Sequence, residues 1–146
     1  MKRLGVLALI CASLVAYAAP ASAQTKIKVS IQATAKDVIG RQFVFHVRDQ
    51  IGRSGTFVED PDGALRVLIV TLDPDSGAAS AGSQTIYSYT IVISGGTESL
   101  DSYLTSGVGV CGASKVQSWA GSMFTTLGQE VETIRAALAS TKSESF

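Results

Sequence analysis

The period at which apolar residues recur changes several times along the chain, and each change marks an element. Between Lys26 and Thr34, Ile27, Val29 and Ile31 alternate with Lys28, Ser30 and Gln32, the two-residue period of a half-buried strand. The lysines at its start suit a sheet edge, where charge discourages pairing with other chains. From Asp37 to Arg53 the period lengthens. At about 100° per residue, Ile39, Phe43, Val47, Gly40, Ile51 and Val44 fall within an arc of roughly 140°, which predicts an amphipathic helix. Gln42 to Val47 is also rich in strand-forming residues, but Val44 breaks the alternation, and Ile39 and Ile51 extend the helical rhythm. Gly40 lies inside the apolar arc, at a cost of about 1 kcal/mol of helix propensity relative to alanine. A close approach of helix to sheet is expected there.

Thr56-Phe57-Val58 predicts a short strand, and Asp60-Pro61-Asp62-Gly63 a turn. Leu65 to Leu72 is apolar on both faces except at Arg66 and Thr71, which predicts a central strand covered on both sides along most of its length. After a polar loop, Thr85 to Ser94 puts Tyr87, Tyr89, Ile91 and Ile93 on one face. Ser102 to Cys111 does the same with Tyr103, Thr105, Gly107, Gly109 and Cys111, and its two glycines predict close packing. A last helix opens on Ser114 and Gln117, which fit a capping box, and carries an apolar stripe expected to bury Trp119, Phe124 and Leu127. The first helix is expected to bury Phe43 and Val47. A polar tail from about residue 141 is expected to fray. Together these elements predict a single α+β domain over residues 24–146: a mixed, mostly antiparallel sheet of four to five strands with two helices packed on it.

Residues 1–23 stand apart. Met1-Lys2-Arg3 is a short positive end, Leu4 to Ala19 an apolar run, and Ala21-Ser22-Ala23 a small-residue cleavage site, the three parts of a secretory signal peptide. The run is shorter than the roughly 20 residues that span a bilayer, and Ile10 before Cys11 does not suit lipidation. Cleavage after Ala23 leaves 123 of the 146 residues, enough for one domain with a core of its own. Without Lys2 and Arg3, 10 basic residues face 12 acidic ones. With no basic excess to attract a phosphate backbone, nucleic acid is not an expected partner. The location this predicts is periplasmic or secreted, with no transmembrane segment in the mature chain.

Few residues carry candidate chemistry. Gly107-Val-Gly-Val-Cys-Gly112 spells GxGxxG between a strand and a helix, but no parallel strand with a ribose-binding acid follows, as a dinucleotide site requires. Cys111 is the sole cysteine after the signal segment, and its place before a helix N-terminus would lower a thiol pKa. With His46, the chain's sole histidine, it makes a candidate nucleophile–base pair. A buried small thiol and a solvated histidine is the plainer reading, and pairing of Cys111 between two chains is a third. The two Asp-Pro-Asp sequences lie at opposite ends of one strand, roughly 25 Å apart, and each is explained by turn formation. Tyr87, Tyr89 and Tyr103 would make either an aromatic platform or ordinary cross-strand pairs. No metal or cofactor is expected. On the first helix, Val38 and Phe45 form a stripe off the main apolar arc. They are candidate partner-binding residues, although packing needs favour a core position for Phe45.

The helix Asp37 to Arg53, then SGTFVED, then Ala64 followed by LRVLIVTLD, resembles a small α/β module of bacterial envelope proteins: the amino-terminal domain of TolB, and related domains in the curli-secretion lipoprotein CsgG and the cell-wall synthase activator LpoB. The likeness covers about half of the chain after the signal. It implies partner binding in the periplasm rather than catalysis, although this chain lacks a lipidation cysteine and any attached propeller or pore segment. The leading expectation is a non-enzymatic periplasmic adaptor or binding protein with a protein partner in the envelope, with a homodimer as a further option. The alternatives are a thiol-dependent enzyme using Cys111 with His46 as base, and a secreted self-assembling structural component.

Overall fold

A computed structural model describes residues 25–77, 82–95 and 100–143, with side chains as far as residue 140 except at 139. The expected signal segment lies outside the described residues. The elements are β1 (Ile27–Ala35), α1 (Val38–Arg53), β2 (Phe57–Glu59), β3 (Leu65–Leu72), β4 (Gln84–Ile93), β5 (Ser102–Gly112), a 3-10 turn (Ala113–Lys115) and α2 (Val116–Ser143). The strands form one sheet in the order β2-β1-β3-β4-β5. β1 is parallel to both of its neighbours, and β3-β4-β5 is antiparallel. This is the α+β arrangement of a mixed sheet and two helices that the periodicities predict. Helix α2 runs to Ser143, and residues 144–146 of the tail expected to fray lie outside the described part.

Both helices pack on the same face of the sheet. Val29, Ile31, Leu65, Val67, Ile69, Tyr87 and Ile91 meet Ile39, Phe43, Val47 and Ile51 of α1, and Ala120, Met123, Leu127 and Val131 of α2, in one apolar core. Phe43 stacks on Tyr87 with ring centroids 4.7 Å apart, and Phe57 meets the edge of Phe124 at 5.7 Å. Phe43, Val47 and Leu127 are buried as expected. Trp119, at the margin of α2, is not: it is 42% exposed and leans on Tyr87.

The start of α1 is fixed by a buried polar knot. Asp37 is the N-cap, and its Oδ1 accepts the Gly40 amide at 2.6 Å, which satisfies one of the donors a helix start leaves open. Its Oδ2 accepts from the hydroxyls of Thr71 at 2.7 Å and Thr85 at 3.1 Å. A Cβ on Gly40 would overlap the Thr71 hydroxyl. The glycine is therefore what lets the first turn of α1 descend onto β3 and β4.

Three expectations need correction. β1 is not an edge strand, because the three residues of β2 pair with Ile27–Val29. Lys28 instead pairs with Asp60 at 2.8 Å, and that hydrogen bond is the main cause of an Asp60 carboxyl held below its ordinary range. Between β2 and β3 the chain crosses β1 through Asp60-Pro61-Asp62-Gly63, where Gly63 rests on the Lys28–Ser30 backbone. Secondly, Ser114 makes no cap. It sits inside the 3-10 turn, which has no side-chain cap hydrogen bond. The third concerns β3, which lies at the centre of the sheet but is covered on one side only.

Candidate interaction surface

The uncovered side of β3 carries Val70 and Leu72, 55% and 62% exposed. The ladders extend these positions into rows across the sheet. Leu72 lies beside Ile86 and Ile86 beside Val110, while Val70 lies beside Ser88 and Ser88 beside Val108. Val108 is 76% and Val110 54% exposed. Apolar residues spaced at period two on a single face normally belong to a core. Here no layer of the described residues covers them, so β3-β4-β5 presents an apolar surface. Farther along the same face Arg66 bonds Asp101 at 3.3 Å, which leaves the valine and leucine rows without charge.

The sequence did not reveal this surface, because an apolar strand face reads the same whether a second layer covers it or not. A β-bulge opposite Ile91–Val92 also redistributes β5. It turns Leu104 into the core, and Tyr103 is paired with Val92 on the open side. The three tyrosines therefore form no common platform. Tyr87 and Tyr89 lie under the helices, and Tyr103 is 64% exposed on the other face. Gly107 and Gly109 make room for those two rings, since a Cβ at either would come within 2.6 Å of Tyr89 or Tyr87. The GxGxxG spacing thus serves aromatic packing.

The structure does not join Cys111 to His46. Cys111 is fully buried and its thiol touches the Gly112 carbonyl at 3.5 Å, while the half-buried His46 packs edge-on to Phe45 at 5.4 Å. Burial pushes the Cys111 thiol up, against the lowering expected from the helix N-terminus: the 3-10 turn separates the two. Both Asp-Pro-Asp sequences close turns on themselves. Asp60 accepts the Asp62 amide, and Asp73 accepts those of Asp75 and Gly82. Among the described residues, no group of three or more His, Cys, Asp or Glu is placed to hold a metal, and no helix is long and apolar enough to cross a membrane.

Several hollows open beside the sheet, two of them lined in part by β1. A cleft of about 510 Å³ lies where α2 overhangs the starts of β1 and β3, floored by Ile27, Leu65 and Ile93 and roofed by Val131 and Ile134. The cations at its mouth are already engaged, Lys28 with Asp60 and Arg135 with Glu132 at 2.6 Å. The other hollow, about 320 Å³, lies beside α1 and is lined by Ala33, Ala35, Arg41, Val44, Phe45 and Arg48. Phe45 is 64% exposed and Val38 51%, so the core position expected for Phe45 is not the one it takes. It lines this hollow with Ala33 and Ala35 of β1 and with no residue of α2. No protein-family model matches this sequence, and no curated protein is detectably similar to it.

Proposed function

We propose that this protein is a non-enzymatic binding or adaptor component of the bacterial envelope, exported by residues 1–23 and acting in the periplasm or outside the cell. The observation that carries the reading is the bare apolar face of β3-β4-β5, with Val70, Leu72, Val108 and Val110 each more than half exposed. A contiguous exposed apolar patch on a small domain marks a surface that another molecule covers. The likeness of Asp37–Asp73 to envelope modules that bind partners agrees with it. A photo-crosslinking residue at position 70 or 108, introduced in the native envelope, is expected to yield a discrete adduct identifiable by mass spectrometry. The same residue placed at the exposed Thr133 of α2, on the helix side of the sheet, should not. Equal labelling from both positions would sink the reading. Cleavage after Ala23 is checked by amino-terminal sequencing of the exported form.

One observation favours a second reading, self-assembly. The edge strand β5 runs for 11 residues without a charged side chain or proline, whereas the opposite edge, β2, has three residues. Long uncharged edges are templates for strand pairing. A sedimentation series on the processed protein decides it, because self-assembly requires mass to rise with concentration. The thiol-enzyme alternative gains no such support, since the Cys111 sulfur is fully buried.

A further inference from the structure

β2 pairs with only the first three residues of β1, Ile27–Val29, and the chain then turns away to cross the sheet. The remaining stretch of β1, Ser30–Ala35, is paired with β3 on one side and, among the described residues, has no strand on the other. Ser30 and Ile31 are themselves buried, at 4% and 8% exposed, so the outward amides and carbonyls from Gln32 to Ala35 are an open template about 13 Å long. Along this stretch the core-facing side chains shrink from Val29 and Ile31 to Ala33 and Ala35. α1 is not drawn down onto small residues as it is onto large ones, and the 320 Å³ hollow lies between strand and helix. Ala33 is exposed where Ile31 is 8% exposed.

The helical wall of this groove has a definite chemistry. Arg41, Phe45 and Arg48 stand at i, i+4 and i+7, so they form one stripe along α1. A mostly exposed phenylalanine stands between two exposed guanidinium groups, with buried Val44 beside it. Arg41 donates to the Lys36 carbonyl at 2.8 Å and has no carboxylate partner among the described residues. Arg48 shares Glu59 at 3.2 Å. Two guanidinium groups thus line the groove against one carboxylate, in a protein whose processed form has 10 basic and 12 acidic residues.

We infer that this groove takes an extended acidic peptide, which adds to β1 as a strand in the lane that β2 leaves empty. The backbone of the peptide bonds the free edge of Gln32–Ala35, the recognised mode of strand addition. An apolar side chain enters the hollow over Ala33 against Phe45 and Val44. Carboxylates two positions to either side reach Arg41 and Arg48. The dimensions agree. Seven residues of helix separate the two arginines by about 10.5 Å along the axis, and acidic residues four apart on a strand are about 13 Å apart, a difference that the arginine side chains absorb. The inference rests on the binding-protein reading only in giving the protein a partner. Its surface is separate from the open face of β3-β4-β5.

The test uses the protein from Gln24 onward and a capped, fluorescent heptapeptide, TETLTET, read by anisotropy and by backbone amide exchange. Saturable binding at or below about 1 mM is expected, together with slowed exchange confined to amides within Gln32–Ala35. The charge-reversed peptide TKTLTKT, and TETLPET with a backbone donor removed, should each bind at least about tenfold more weakly. Phe45→Ala and Arg41→Glu, both at exposed positions, should weaken TETLTET by about tenfold while leaving the unfolding midpoint in place. Absence of TETLTET binding, equal binding of the two charge forms, or protection elsewhere than Gln32–Ala35 would each overturn the inference. None of these results bears on crosslinking at positions 70 and 108, so the two proposals fail separately.

Discussion

On the helix side of β3, Leu65, Val67 and Ile69 are at most 5% exposed, whereas on the other side Val70 and Leu72 are 55% and 62% exposed. The residues are of the same kind, but only one side has acquired a second layer. The covered side contributes the stability of the fold, because each large aliphatic group removed from water is worth about 1.5–3 kcal/mol. The open side contributes nothing of that sort, and under the binding role proposed above the energy of covering it would appear as affinity. The two helices among the described residues both pack on one face. The other face is left without a helix, and its apolar character is what the proposed binding role rests on.

Substitutions on the two sides should separate sharply. The largest effect is expected at Phe43, fully buried against Tyr87: Phe43→Ala should cost about 3–5 kcal/mol in urea unfolding. A loss below 1 kcal/mol would break the assignment of the core. Next is Gly40→Ala. Helix propensity alone would make it stabilising by about 1 kcal/mol, but the overlap with Thr71 should reverse the sign and give a loss of about 1–3 kcal/mol.

Asp37→Ala should cost about 1–2 kcal/mol by removing the cap, and it also carries a pH signature. Burial, the largest single influence on the Asp37 carboxyl, raises its pKa, but the hydrogen bonds from Gly40, Thr71 and Thr85 together outweigh it and hold the group below its ordinary value. A carboxyl lowered by folding stabilises the fold above its unfolded pKa of about 3.9, and that contribution is lost as pH falls through the folded value. Stability of the natural protein should therefore drop below about pH 4. Asp37→Asn should flatten that drop, and identical acid profiles would show that the knot does not ionise as described.

The smallest effects are expected outside the core. Val70→Thr and Phe45→Ala should each change stability by less than about 0.5 kcal/mol, although the latter deletes a whole aromatic ring. A core phenylalanine would instead cost about 3–5 kcal/mol. Measuring Phe43→Ala beside Phe45→Ala thus compares two phenylalanines two residues apart on one helix. Equal losses would erase the contrast between buried and exposed faces.

The sequence by itself determined the elements and much of their packing. The 100° periodicity located α1 and its core face, the alternation located the strands, and Gly40 announced a close contact before its neighbour was known. These are local properties, set by which side chains share a helix stripe or a strand face. Tertiary structure decided the rest. Whether the second face of β3 meets a layer depends on where both helices dock, and no pattern within β3 records that. Phe45 reads as core by its type, yet it lines a hollow beside a strand that tapers to alanine. Cys111 stands near a helix start in sequence, but a 3-10 turn intervenes and burial raises its thiol pKa. The free half-edge of β1 arises because β2 stops after three residues and the chain crosses at Gly63. Pairing partners, edges and uncovered faces are relations between distant segments, fixed only when the segments meet.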